Sequence, residues 1–222
     1  MISEKKKGSR TYDAARSKEM ILDAAEEQFA ELGYSAARID AIAKAAGYNK
    51  SLIYQYFGDK LGLYTEVVKR ADQVGDQVTG QAIAGIMKED SLVTNPDTFR
   101  RFLETNIREL YQFLLDHPRY RKILFWEAAE EWKTWNQITY RPDDFTQLVE
   151  IAKAAKENGI LRKDIDPVML PLLLMNITTS TIQSFSRYKP MLDPEGALED
   201  REHMTSQLTN FMIHGVMEQS LL

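Results

Sequence analysis

The segment from Lys50 to Lys60 concentrates side chains suited to hydrogen-bonding and charge recognition on the surface of a helix. In KSLIYQYF, residues 50–57, the apolar pair Ile53 and Phe57 recurs at i and i+4 and sets a buried face. Lys50, Ser51, Leu52, Gln55 and Tyr56 then lie on other faces, with Tyr54 at the margin. A lysine can donate to O6 and N7 of guanine, a glutamine can reach an adenine, and a leucine can touch a thymine methyl. That chemistry needs a rigid support that leaves Lys50, Ser51 and Leu52 accessible. The competing reading of Tyr54 and Phe57 is plain core packing, and a lysine at an exposed helix start is ordinarily just surface.

The flanking residues supply such a support. Ile39, Ile42, Ala43 and Ala46 recur at i, i+3, i+4 and i+7, one face of a preceding helix. Gly47 predicts its end, since glycine accepts the left-handed backbone of a helix C-terminus. Asn49 predicts a cap for the next helix, with its side chain accepting a backbone N–H. Gly58-Asp59 breaks that helix, and Asp59 is placed to cap another beginning at Lys60. Two short helices around a glycine turn form a helix-turn-helix, whose second helix presents its N-terminal end to base edges while flanking groups hold phosphates. Arg38, opening the first helix, is a phosphate candidate on this geometry.

Ile42-Ala43, Ala46-Gly47, Tyr54, Tyr56-Phe57, Lys60 and Leu63 together resemble the TetR (tetracycline-repressor-like) family of transcriptional regulators. Upstream, Ile21, Ala24-Ala25, Phe29 and Gly33-Tyr34 resemble the family's first helix and its ending, so the likeness covers about residues 17–64. The chain departs from the pattern at Ala37-Arg38, where Thr or Ser is usual, at Tyr48, where a small aliphatic residue is usual, and at Asn49, where serine is usual. Without a side-chain cap at Arg38, the first helix of the pair forgoes about 1 kcal/mol. The resemblance implies that Tyr54, Tyr56 and Lys60 hold phosphates. It also implies an all-α chain, a homodimer through the last two helices, and a small-molecule pocket beyond the fourth helix.

The 222 residues carry 28 Lys+Arg against 33 Asp+Glu, a net charge of −5, which on its face disfavours a nucleic-acid partner. The distribution differs: residues 1–70 hold 12 basic and 10 acidic side chains, and residues 71–222 hold 16 and 23. The arm Lys5, Lys6, Lys7 and Arg10 is basic, and the acidic side chains Glu26, Glu27 and Glu31 are expected to face away from DNA. The arm follows the duplex or is a solvated tail; the sequence leaves both open. There is no cysteine, hence no disulfide and no thiolate metal site. No apolar run follows the basic start and none approaches a membrane span, so a cytoplasmic protein is expected.

Everything after the arm reads helical. Helices are expected at about 13–32, 60–88, 99–116, from 118 through the Trp126–Trp135 region, from Phe145 to a stop at Asn158-Gly159 after a break at Tyr140–Pro142, from about Pro167 to Tyr188, and from about Leu198 to Gln219. Residues 1–68 are read as a DNA-binding domain with its arm, and 69–222 as an effector-binding and dimerisation domain. Leu172, Leu173, Met175, Asn176, Ile182, Leu208, Phe211, Met212 and Met217 offer apolar faces for a dimer, though packing within one chain would bury them equally well. Trp126, Trp132, Trp135 and Tyr140, mixed with Glu127, Glu130 and Glu131, would suit an organic cation. The other reading is core tryptophans beside a solvated acidic face. Asn176 and Thr179 belong to a polar run that either lines a pocket or bonds to its own helix. Trp126, Glu130, Asn176 and Thr179 are the effector candidates. His117, His203 and His214 have no metal-ligand spacing, and no nucleophile elbow, phosphate loop or cofactor motif is present. The expectation is a ligand-responsive regulator, a repressor on a near-palindromic double-stranded operator. The alternative is a protein-interaction co-regulator that keeps the fold without binding an operator.

Overall fold

The computed structural model describes residues 4–138, 144–192, 196 and 200–221; among these, side chains are described from Asp13 onward, except at residues 76–79, 82, 83 and 144. The Lys5–Arg10 arm side chains and the expected break at Tyr140–Pro142 lie outside that set. The described elements are helical: α1 (Glu4–Ala36), α2 (Ile39–Ala46), α3 (Lys50–Phe57), α4 (Lys60–Met87), α5 (Pro96–Asp116), α6 (Pro118–Ala129), α7 (Asp144–Glu157), α8 (Met169–Leu192) and α9 (Arg201–Val216), with short 3₁₀ turns at Trp135–Gln137 and Gln219–Leu221. The fold is all-α. No described helix is long and apolar enough to cross a membrane.

Two compact units divide the chain, one of residues 1–73 and 117–141, the other of 74–116 and 142–222. Helix α4 contributes its first half to one and its second half to the other. In the first unit Ile21, Ala25 and Phe29 of α1 are fully buried with Ile42, Ile53, Leu63 and Val68. Leu32, although it follows Ile21, Ala25 and Phe29 at helical spacing, is exposed, because the buried face there runs through Ala30 and Gly33, where Trp126 of α6 lies. Gly33 has a non-helical backbone that breaks α1 in its last turn. Helix α6 packs along α1, and Ile123 and Ile138 join this core.

The second unit is built on α5, whose Phe99, Phe102, Leu103, Ile107 and Leu114 are buried at helical spacing. Leu170 and Leu174 of α8 and Met204, Leu208, Met212, Ile213 and Val216 of α9 complete the core. Of the residues read as dimer faces, Leu208, Met212 and Met217 are thus interior to the unit, whereas Leu172 and Phe211 are exposed. Asp166 accepts the Val168 N–H at 3.0 Å, and α8 starts two residues later than expected, with Pro171 in its first turn, where a missing N–H is harmless. Asp200 caps α9 by accepting the Glu202 N–H at 2.9 Å.

Candidate nucleic-acid interface

The junction of α2 and α3 forms as the residues dictate. Gly47 takes φ +76° and ends α2, and the Tyr48 N–H reaches back to the Ala43 carbonyl at 3.0 Å. Asn49 Oδ1 accepts the Leu52 N–H at 2.9 Å, the cap expected from its side chain. Arg38 makes no side-chain cap for α2. Asp59 Oδ1 accepts the Gly62 N–H at 2.7 Å and so starts α4. Position 62 has no room for a side chain: a Cβ there would lie 2.0 Å from the Phe57 carbonyl oxygen. The close approach of α3's last turn to α4's first turn depends on that glycine.

Within α3 only Ile53 is fully buried. Phe57, Leu52 and Tyr56 are half-buried against the same core, while Arg38, Asn49, Lys50, Ser51, Tyr54 and Gln55 are exposed. Lys50 lies 3.3 Å from Asp40, and with both side chains well exposed the pair is easily exchanged for another anion. Tyr54 is 46% exposed, and among the described residues its hydroxyl has no hydrogen-bond partner.

Two of the residues grouped with Tyr54 are engaged inside the unit. The Tyr56 hydroxyl lies 3.1 Å from Ser17 Oγ, and Lys18 Nζ lies 5.2 Å from the Tyr56 ring centre. Ser17 itself donates to a carbonyl of α1, at 2.8 Å from Asp13, so the phenol proton is the one directed at Ser17. Lys60 Nζ donates to the Ser35 carbonyl at 3.3 Å and lies 4.5 Å from the Tyr34 ring centre. Partial burial holds the Lys60 amine below its ordinary pKa, and nearby Glu130 partly opposes that shift.

The acidic excess of α1 is partly offset within the unit. Arg70 of α4 pairs with Asp23 at 2.7 Å, with Glu19 at 3.3 Å and with Glu26. Glu27 faces Arg119 at 3.8 Å, and Glu31 pairs with Lys122. Among the described residues Arg16, Lys18, Arg38 and Lys44 form no ion pair, so their charge is available to a polyanion. An open groove of about 630 Å³, lined by Lys18, Glu19, Tyr56, Phe57, Thr65 and Ile138 among others, adjoins α3.

The effector candidates fall into two places. Trp126 donates its indole N–H to the Ala30 carbonyl at 3.2 Å, and its ring lies 3.0 Å from where a Cβ on Gly33 would be. It borders a shallow depression of about 370 Å³ with Ala30, Glu31, Lys122 and Phe125. Glu130, at the end of α6, accepts the Ser35 hydroxyl at 3.0 Å. Asn176 and Thr179 lie on α8 in the second unit, donating to the Leu172 and Met175 carbonyls of their own helix, both at 2.8 Å. Among the described residues the buried carboxylate is Glu127, 2% exposed, accepting the Tyr64 hydroxyl and the Trp135 N–H. Its signal was present in the sequence: Tyr120, Ile123, Leu124 and Glu127 recur at i, i+3, i+4 and i+7.

Comparison with known proteins bears on this geometry. The family profile described as bacterial regulatory proteins, tetR family, matches residues 21–67, the stretch from the core of α1 into α4. The HTH-type transcriptional repressor SCO4008 of Streptomyces coelicolor is 28% identical over 164 residues, 73% of this chain and 77% of that one. The HTH-type transcriptional activator FasR of Mycolicibacterium smegmatis is 48% identical over 50 residues, 22% of this chain and 23% of that one. The crystal structure of SCO4942 from Streptomyces coelicolor superposes with a TM-score of 0.62 at 21% identity, covering 90% of this chain and 98% of that one, a likeness of fold. The capped helix-turn-helix thus lies in the stretch that matches the tetR family of bacterial regulatory proteins, and over most of its length the chain is similar to a relative named a transcriptional repressor.

Proposed function

We propose that the chain is a repressor that binds a near-palindromic operator as a homodimer and is released by a small-molecule effector. Residues 1–68 carry DNA recognition, and 69–222 carry effector binding and dimerisation. The observation that carries the reading is the one-sided burial of α3: Ile53 is fully buried, while Lys50, Ser51, Tyr54 and Gln55 of the same eight-residue helix are exposed. Lys50, Ser51, Leu52 and Gln55 meet base edges, with Asn49 fixing the helix start. Arg38, Tyr54, Tyr56 and Lys60 hold phosphates. Tyr56 must exchange its contact with Ser17 to donate there, whereas Tyr54 is already free to do so.

One α3 contacts only a few base pairs, so an operator needs two, about one helical turn apart or a multiple of it. The exposed apolar side chains Met169 and Leu172 of α8, Val168 just before it and Phe211 of α9 support a seam between copies. Repression is supported by a relative that spans most of the chain and is named a repressor. The relative named an activator matches over 50 residues only, so the head region does not decide the sign of regulation. The effector candidates remain in two separate places, Trp126 and Glu130 at the end of α6 in the first unit and Asn176 and Thr179 on α8 in the second. The effector releases DNA only by preferring the conformation that does not bind it.

Electrophoretic mobility shift on DNA flanking the protein's own gene tests the reading. A discrete shifted species is expected, with Lys60→Ala weakening binding to all sequences and lowering the salt slope by roughly one. No shift at low salt would leave the co-regulator reading in its place.

A further inference from the structure

We infer that Tyr34, Ser35 and Glu130 are positioning residues that hold the Lys60 ammonium at the DNA-facing edge of the first unit. This rests on the phosphate role given to Lys60 above and adds three residues to it. Lys60 opens α4, where the positive end of the helix dipole disfavours a cation and a free lysine would swing away into water. Two features oppose that. The amine donates to the Ser35 carbonyl at 3.3 Å, and it lies over the Tyr34 ring, 4.5 Å from its centre.

The Tyr34 platform is itself anchored. It stacks on Phe29 at 6.1 Å and meets the buried Tyr64 edge-on at 5.1 Å. Ser35 is anchored from the other side, because its hydroxyl donates to Glu130 at 3.0 Å. A lysine ammonium has three donors; the Ser35 carbonyl takes one, and the Tyr34 face attracts the charge without accepting a conventional bond. At least one donor is left for a phosphate oxygen. Lys60 therefore meets DNA with its side chain already ordered, and the entropy of ordering a long side chain is not lost again on binding. Glu130 also adds an opposite charge close enough to favour the ammonium form.

The test needs no operator, because a phosphate contact is read on mixed-sequence duplex DNA at low salt. Affinities are measured for the intact chain, Glu130→Gln, Lys60→Ala and the double variant. Ser35→Ala repeats the comparison at an exposed site where folding is not at risk. Ordering of one long side chain corresponds to roughly 2–10-fold in affinity, so the effect of Glu130→Gln should be less favourable to binding by about that factor in the intact chain than in the Lys60→Ala background, where only the loss of one negative charge acts. A second measurement is independent of DNA. The Lys60 ε-methylene protons should be ring-current shifted in the intact chain and move toward ordinary lysine values in Glu130→Gln. Equal effects of Glu130→Gln with and without Lys60, or ε-methylene shifts that do not move, would overturn the inference. If Lys60→Ala binds DNA like the intact chain, the phosphate role fails, and the methylene shifts alone then decide whether these residues hold the lysine.

Discussion

Replacing Glu127 should expose how α6 is fastened to the DNA-binding unit. Its carboxylate is 2% exposed and accepts from the Tyr64 hydroxyl on one oxygen and from the Trp135 N–H on the other, at 3.0 Å. Glu127→Met keeps length and helix preference but removes both acceptors. Tyr64 is 1% exposed, so its hydroxyl would be left buried without a partner, at about 1–3 kcal/mol. Trp135 is half-buried, and its N–H can turn to water at smaller cost. The sum is roughly 2–4 kcal/mol, and at about 2–4 °C per kcal/mol for a chain of this size the melting temperature should fall measurably. Urea denaturation followed by circular dichroism gives the number. Tyr64→Phe supplies the sharper sign: it should destabilise the intact chain, yet stabilise the Glu127→Met chain by removing the orphaned hydroxyl. Additive losses in that double-mutant cycle, or a Glu127→Met chain within about 0.5 kcal/mol of the parent, would refute the reasoning.

Asn49→Ala should destabilise the fold by about 1 kcal/mol and weaken DNA binding, whereas Asn49→Gly should cost only a few tenths, since glycine tolerates the cap conformation; thermal melts of the two variants side by side check the order. Burial, reinforced by the hydrogen bond to Glu127, holds the Tyr64 phenol protonated far above its ordinary value of 10.0. The folded chain then keeps a proton that the unfolded chain loses, so Tyr64's contribution is complete below pH 10 and declines as pH rises above it. Compared with Tyr64→Phe, the intact chain should lose stability by at most ~1.4 kcal/mol per pH unit above pH 10. Urea midpoints of both chains across that range measure it, and parallel curves would count against the assignment.

Local pattern carried far in this chain. The start of α4 at Lys60, the Gly47 turn, the Asn49 cap and the buried stripe of α5 all follow from spacing, capping and backbone preference within a dozen residues. What escaped is pairwise and distant. Tyr64 and Glu127 are 63 positions apart, and nothing in the periodicity of either helix announces the bond. Likewise Lys60 reads locally as a free cation, and its engagement depends on the end of α1, 25 residues earlier. Leu208, Met212 and Met217 show the same limit: an apolar face marks burial but does not say whether the same chain or a second copy provides the cover. For Asn176 and Thr179, the observed bonds to their own helix are one of the two options that their spacing allowed.

The central claim is that the exposed face of α3 enters a DNA groove, and the absence of cysteine from the chain makes a direct measurement possible. Gln55→Cys, labelled uniquely with an iron-chelate cleavage reagent, should cut DNA flanking the protein's own gene at two positions, one in each half-site. The same label at Ala128→Cys, on the exposed side of α6, serves as the comparison. Cutting confined to the α3 label and repeated about one helical turn apart, or a multiple of it, is the predicted result. Equal cutting from both labels, or none from α3 while DNA is bound, would contradict the account.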